Sequence, residues 1–213
     1  MSSKRVVVCI PCSWSMVHRE FFFSYTDMMK DAHDKGFDVE FVTCGKIYLH
    51  PNRETLASAT EQYEVDYIFW VDVDQVYPKD TISTLAKYVD DGRLIVTGMT
   101  CDKKTGIHLG YTFEPGNRFF SGIKRTPLKT NQGLQKIDSL GFGGVMMSPE
   151  VLKKLSAPYF SFLHNETIFR DTTHFGEDFA FYWKCKRAGI DVWCDTDLQF
   201  GHLNTETVYS CDK

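Results

Sequence analysis

Short apolar runs alternate with longer amphipathic segments along the first half of the chain. The runs at 6–10 and 67–71 are nearly continuous, which is typical of strands buried on both faces of a sheet. Between the runs, apolar residues recur every three or four positions, the spacing of one helix face. Strands are predicted at 6–10, 38–44, 67–71 and 94–96, and helices at about 15–35, 51–63 and 78–91. This alternation predicts an α/β fold with a mostly parallel central sheet flanked by helices.

The second half of the chain is less regular. Residues 102–133 are rich in Gly, Lys, Thr and Asn and are predicted as a long loop or hairpin region. The further predicted elements are a glycine turn at 141–144, a strand at 145–147, helices at 148–155 and about 177–188, a strand at 190–194 and an extended stretch at 198–202. We predict a single domain spanning residues 1–213, or one domain cut from a longer polypeptide.

The apolar run at 67–71 ends in two aspartates, Asp72 and Asp74. Side chains alternate across a strand, so the two carboxylates converge if the extended geometry continues to Asp74. They would then lie at the carboxyl edge of the sheet, where open α/β folds bind ligands. Converging carboxylates repel each other unless a cation lies between them, and a hard divalent ion such as Mg²⁺ or Mn²⁺ suits oxygen ligands. The alternative is a solvated turn that ends the strand.

Three further features carry candidate chemistry. Glu177 and Asp178 open a buried helix, where the helix dipole favours an ionised carboxylate that could act as a general base; helix capping is the alternative. His202 ends an extended stretch and could complete a metal site, although a lone histidine is more often structural. The glycine turn at 141–144 allows close approach of the backbone to a ligand, and an ordinary turn explains it equally well.

Charge and composition exclude some functions. The net charge of −4 argues against a nucleic-acid-binding protein, which needs a basic face. No stretch reaches about 18 consecutive apolar residues, so no transmembrane helix is predicted. The chain leads from residue 1 into a strand without a cleavage signal, and its seven cysteines are scattered, unlike a disulfide framework. These features predict a cytoplasmic protein.

Taken in order, the motifs resemble those of the GT-A glycosyltransferases, the Rossmann-like fold of enzymes that use nucleotide sugars. The matching segments are residues 11–13 (PCS) after the first strand, 52–53 (NR), 67–74 (YIFWVDVD), the glycine turn before 145–147 (VMM), 177–181 (EDFAF) with 188–189 (AG), and His202. The likeness covers about residues 5–203. The chain is also similar to the small glycosyltransferase domains encoded by large algal viruses, such as the chlorella viruses.

The resemblance implies a site for a nucleoside-diphosphate sugar, with a UDP-sugar favoured. Asp72 and Asp74 would hold Mn²⁺ or Mg²⁺ on the diphosphate, with Asp74 the more direct ligand and His202 the third. The donor-binding residues implied are Pro11, Cys12, Ser13, Arg53, Asp72, Val73, Asp74, Gly143 and Gly144. Residues 114–133, with Arg118, Lys124 and Arg125, form a candidate lid over the diphosphate, and a solvated surface loop is the alternative.

The resemblance also implies a reaction. Asp178 would deprotonate a hydroxyl of a glycan or glycoprotein acceptor, giving transfer with inversion, and Glu177 would hold the acceptor or the donor sugar. The transferred sugar is expected to be a hexose or deoxyhexose such as glucose or rhamnose.

Two rival interpretations use the same aspartates. Residues 72–76 (DVDQV) fit the D-x-D-x-[TV] pattern of the haloacid-dehalogenase-type phosphohydrolases, with Asp72 as nucleophile and Asp74 as acid and base. That family places its nucleophile on the first strand, whereas two strand–helix units precede Asp72 here. The other rival is a non-catalytic module that binds a nucleotide or a sugar.

Overall fold

A computed structural model describes residues 3–12, 17–46, 48–103, 105–106, 110–113, 123–126, 128–161, 176–204 and 208–209. Its strands are β1 (Lys4–Pro11), β2 (Phe37–Cys44), β3 (Tyr67–Trp70), β4 (Gln75–Val76), β5 (Ile95–Met99), β6 (Gly110–Phe113), β7 (Ile123–Thr126), β8 (Leu134–Ile137), β9 (Val145–Met147), β10 (Val192–Gln199), β11 (Gly201–Leu203) and β12 (Val208–Tyr209). Its helices are α1 (Arg19–Asp34), α2 (Leu49–Thr60), α3 (Thr81–Asp90), α4 (Glu150–Lys154) and α5 (Glu177–Arg187).

The main sheet has seven strands in the order β2-β1-β3-β9-β5-β10-β8. β1 pairs in parallel with β2 and β3, and β5 pairs in parallel with β10. β9 runs antiparallel to both β3 and β5, and β8 runs antiparallel to β10. The α/β class is therefore confirmed. The expected mostly parallel sheet is instead mixed, because β9 runs antiparallel between β3 and β5 and β8 runs antiparallel at the edge.

Helices cover both faces of this sheet. One core lies between the sheet and helices α2, α4 and α5, and the other lies between the sheet and helices α1 and α3. Val7 of β1 packs in the first core, whereas Val6 and Val8 pack in the second, since neighbouring strand residues point to opposite faces. All four residues of β3 are buried. The continuous apolar runs in the sequence thus mark strands that are covered on both sides.

Several element boundaries differ from the sequence-based expectation. β3 ends at Trp70, one residue short of the predicted strand at 67–71, and the extended geometry does not continue to Asp74. The helix predicted from about residue 15 begins at Arg19. Within the predicted loop or hairpin region, β6 pairs with β7 in an antiparallel hairpin. Among the helices that the structure describes, none is long and apolar enough to cross a membrane.

Candidate functional site

The candidate site lies at the carboxyl edge of the parallel strands. β4, directly after the aspartate pair, forms a second small sheet with β11 and β12. His202 of β11 pairs with Gln75 of β4, and the Leu203 N–H donates a 2.7 Å hydrogen bond to the Asp74 carbonyl. This pairing brings His202 to Asp74 although 128 positions separate them: the Nε2–Oδ1 distance is 3.7 Å.

The two aspartates lie on a turn and have different partners. Val73 and Asp74 form the turn that links β3 to β4. Both carboxylate oxygens of Asp72 accept hydrogen bonds from Arg53 Nη2, at 2.9 and 3.0 Å. Asp74 instead forms an ion pair with Lys103 through Oδ2 and faces His202 through Oδ1. The condition for the two carboxylates to converge, extended geometry through Asp74, is therefore not met, because β3 ends two residues before Asp72.

Arg53 is the centre of a buried ionic network. Its side chain is 3% exposed, and Nη1 donates to Glu177 Oε1 while Nη2 binds Asp72. The guanidinium also lies over the Phe142 ring, 5.1 Å from its centroid, a favourable cation–π geometry. Burial lowers the pKa of Arg53, but the charges of Asp72 and Glu177 outweigh it and raise that pKa overall. The arginine thus stays charged and links α2, the turn after β3 and the start of α5.

The first turn of α2 is held in place by the residue beside Arg53. Asn52 is fully buried, and its side-chain Oδ1 accepts the Lys46 N–H at 2.6 Å while Nδ2 donates to the Lys46 carbonyl at 3.0 Å. These two bonds fix the loop after β2 to the helix. The two neighbouring residues therefore have different roles: Asn52 anchors the start of α2, and Arg53 reaches the candidate site.

Asp178 lies half-buried in the first turn of α5. Burial raises the pKa of Asp178 to about 6, although the nearby Arg53 guanidinium opposes the shift. Its Oδ1 accepts the Phe179 N–H at 2.8 Å. A Cβ at Gly176 would lie 2.7 Å from the same oxygen, so glycine leaves the space that this carboxylate occupies. A carboxylate whose pKa lies near neutrality suits a general base.

Tyr77 fixes the backbone of Asp72. The Asp72 N–H donates to the Tyr77 hydroxyl at 2.9 Å, and that hydroxyl donates to the Asp72 carbonyl at 3.1 Å. Tyr77 is 3% exposed. Because one buried hydroxyl satisfies both backbone groups, it positions the aspartate without touching its carboxylate.

The variant Tyr77→Phe is expected to lose about 1–2 kcal/mol of unfolding free energy, because the Asp72 N–H loses its acceptor in a buried place. Urea denaturation of the variant and the wild type measures this loss. Tyr48→Phe is the control, since Tyr48 is 67% exposed and its free energy should change by less than about 0.5 kcal/mol. Equal stability of Tyr77→Phe and the wild type would show that the hydroxyl does not support Asp72.

The glycine turn at 141–144 contacts the candidate site through Phe142, whose ring lies under Arg53. An antiparallel strand begins where its parallel neighbours end, so the residues before β9 lie at the same edge as Asp72. Phe142 supports Arg53 and also packs edge-on against Trp70 at 5.4 Å. A Cβ at Gly143 would meet the Gln75 amide at 2.6 Å, and one at Gly144, whose φ is +80°, would meet the Phe200 ring at 2.1 Å. Both glycines therefore make room for side chains of the protein, and their contact with a donor stays a prediction.

Two of the remaining predicted donor residues, Pro11 and Cys12, lie at the carboxyl end of β1. Pro11 ends β1 and is buried, and the Cys12 N–H donates to the Cys44 carbonyl at 3.0 Å. Ser13 lies outside the described residues, as does Arg118 of the predicted lid. Lys124 and Arg125 of that lid lie on β7.

Asp74 and His202 could each supply one ligand to a divalent ion. His202 Nδ1 lies 2.6 Å from the Cys101 carbonyl oxygen. Since a carbonyl only accepts, Nδ1 is the donor, and Nε2, which lies beside Asp74, is the ring nitrogen that could bind a metal. Asp72 fits less well, because Arg53 engages both of its oxygens. Within the described ranges no group of three His, Cys, Asp or Glu residues is placed to hold a metal. A bound ion would therefore draw further ligands from phosphate and water.

Sequence reasoning missed Lys103 and Tyr77. Lys103 follows β5, a parallel strand, by four positions. Its position after that strand could therefore have predicted that it lies at the carboxyl edge of the sheet. Tyr77 carried no such signal, because its contact with Asp72 depends on the turn between β3 and β4.

Comparisons with known proteins give a fold likeness. No family model matches the chain, and the search of curated proteins found no match. Among solved structures, A197 from STIV is similar, with a TM-score of 0.65 and 15% sequence identity over 98% of this chain and 91% of A197. At this identity the likeness shows a shared fold alone.

Proposed function

We propose that the protein is a metal-dependent GT-A-type glycosyltransferase. It moves a hexose or deoxyhexose, such as glucose or rhamnose, from a nucleoside-diphosphate sugar to a hydroxyl of a glycan or glycoprotein, with a UDP-sugar as the favoured donor. One observation carries the proposal: Arg53, Asp72 and Glu177, which belong to three separate motifs of the resemblance, meet in one buried ionic network. A solvated turn and a simple helix cap would not require this meeting.

The nucleotide-sugar donor would bind beside Asp72, Asp74 and His202. Asp74 and His202 would hold Mn²⁺ or Mg²⁺, which when bound supplies a Lewis acid for the departing diphosphate. Arg53 keeps Asp72 and Glu177 fixed, and both of its terminal nitrogens are engaged in doing so: Nη1 binds Glu177 and Nη2 binds Asp72. We therefore assign Arg53 a positioning role, in place of the direct nucleotide contact predicted from the sequence.

The acceptor end of the site is Asp178. Its carboxylate takes the proton of the acceptor hydroxyl while the acceptor oxygen bonds to the anomeric carbon and the bond from that carbon to the diphosphate breaks. Attack from the face opposite the leaving group inverts the configuration. Because burial raises the pKa of Asp178 to about 6, the carboxylate is ionised at neutral pH and remains basic enough to accept a proton.

The test measures UDP release from a panel of UDP-sugars with monosaccharide and disaccharide acceptors, with Mn²⁺ and with EDTA. We expect release that requires both Mn²⁺ and an acceptor. A parallel assay follows phosphate release from a generic phosphoester, with mass spectrometry of the protein. A covalent phosphate on Asp72 would instead establish the phosphohydrolase, and tight UDP binding without turnover of any donor would establish the binding module.

A further inference from the structure

Lys103 brings a second positive charge to the candidate site. Its Nζ forms an ion pair with Asp74 Oδ2, while the other oxygen of Asp74 faces His202. Its ammonium is therefore bonded to the carboxylate that fits a divalent ion best. The candidate metal ligand Asp74 is therefore already paired with the Lys103 ammonium.

A short turn holds Lys103 at this place. The Cys101 carbonyl, two residues earlier, bonds to the His202 ring at 2.6 Å. Asp102 Oδ1 then accepts the Thr105 N–H at 2.9 Å, and the Asp102 carbonyl accepts the Gly106 N–H at 2.9 Å. The backbone of this turn is thus tied to the site, and the lysine side chain reaches Asp74 from it.

The two cations of the site differ in how easily they can leave their partners. Arg53 is 3% exposed and binds two carboxylates through a planar fork. Lys103 is 43% exposed, its partner Asp74 is 34% exposed, and an ammonium on a flexible stem is a point charge that can change partners. An ion pair this exposed contributes little free energy, so Lys103 can exchange Asp74 for another anion at small cost.

The charges of the site set when the exchange happens. Among the described side chains, Asp72, Asp74, Glu177 and Asp178 carry four negative charges against the two positive charges of Arg53 and Lys103, a formal balance of −2. A divalent ion at Asp74 would lie beside the ammonium, and the two would repel each other. A nucleoside diphosphate removes this repulsion, because its phosphate oxygens supply ligands for the ion and a new partner for the ammonium.

We propose that Lys103 is an exchangeable counterion. In the protein without ligands it forms the ion pair with Asp74. When a nucleoside diphosphate and a divalent ion bind, the ion replaces the ammonium at Asp74 and Lys103 binds the diphosphate. This inference rests on the proposed function and adds that the metal and the nucleotide bind together, with the metal alone bound weakly. Lys103 thus disfavours binding of the metal in the absence of the nucleotide.

The test compares Lys103→Gln with the wild type in two binding measurements. The affinity for Mn²⁺ alone, measured by electron paramagnetic resonance, is expected to rise about fivefold, because the competing ammonium is gone. The affinity for UDP at saturating Mn²⁺, measured by calorimetry, is expected to fall about tenfold, because one charged hydrogen bond to the diphosphate is lost. Lys103→Arg, which keeps the charge, should stay within about twofold of the wild type for Mn²⁺ alone.

Lys136→Gln is the matched control, because Lys136 is an exposed lysine in an ion pair with Asp191 on the edge of the sheet. It should leave both affinities unchanged. If Lys103→Gln matches the wild type in either measurement, the counterion inference is overturned while the proposed function stands. If the wild type itself binds neither Mn²⁺ nor UDP, the proposed function fails first.

Discussion

The variant Asp178→Asn is expected to transfer sugar about 10²- to 10⁴-fold more slowly than the wild type while binding UDP and Mn²⁺ equally well. An amide cannot accept the proton of the acceptor hydroxyl, but its oxygen can still accept the Phe179 N–H that Asp178 Oδ1 accepts now. Initial rates at saturating donor, together with calorimetry of UDP binding, separate the two effects. Asp195→Asn is the control: Asp195 is a buried aspartate of β10 that accepts the Tyr88 hydroxyl.

The same variant is expected to be more stable than the wild type at pH 7.5, by about 1–3 kcal/mol of unfolding free energy. The pKa of Asp178 is about 6 in the folded protein against 3.8 for an ordinary aspartate, so the folded state holds its proton more tightly than the unfolded state does. The contribution of Asp178 to the stability of the wild type is therefore full below pH 3.8 and is lost as the pH rises to about 6.

Chemical denaturation at pH 3.5, 5.0 and 7.5 checks this sign. The advantage of Asp178→Asn over the wild type should grow across that series and level off above about pH 6. If the variant is less stable than the wild type at pH 7.5, burial does not raise the pKa of the Asp178 carboxylate. If it also transfers sugar at the wild-type rate, Asp178 is not the base.

The variant Arg53→Met is expected to lose about 3–5 kcal/mol of unfolding free energy, because it leaves the carboxylates of Asp72 and Glu177 without their buried cation. Thermal and urea denaturation measure the loss. Arg53→Lys keeps the charge but not the fork that reaches both carboxylates, so its loss should be smaller. This conservative variant remains measurable if Arg53→Met fails to fold.

Arg5→Met is the matched control for that experiment. Arg5 also lies between two carboxylates, Asp38 and Glu40, but its side chain is 38% exposed. Exposed ion pairs contribute little, so its loss should stay below about 1 kcal/mol. If the two methionine variants lose the same free energy, the buried network is no stronger than a surface pair.

The sequence predicted the elements whose pattern is local. The strand at the apolar run 6–10 was predictable because burial on both faces requires an unbroken run, and α3 was predictable from its single apolar stripe. Asp72, Asp74 and His202 were found as candidates because acidic or metal-binding side chains follow apolar strands. Pattern alone did not predict that β3 stops at Trp70, because Val71 is as apolar as the strand before it.

What the sequence by itself determined is therefore the α/β class, the buried strands and the acidic residues at their ends, since burial and strand periodicity are encoded residue by residue. The tertiary structure decided the insertion of β9 between β3 and β5 and the partners of the two aspartates. It also placed Arg53, Glu177 and Lys103 around them. These features depend on contacts between positions up to 128 residues apart. The energy of such a contact exists only once both partners have been brought together and removed from water.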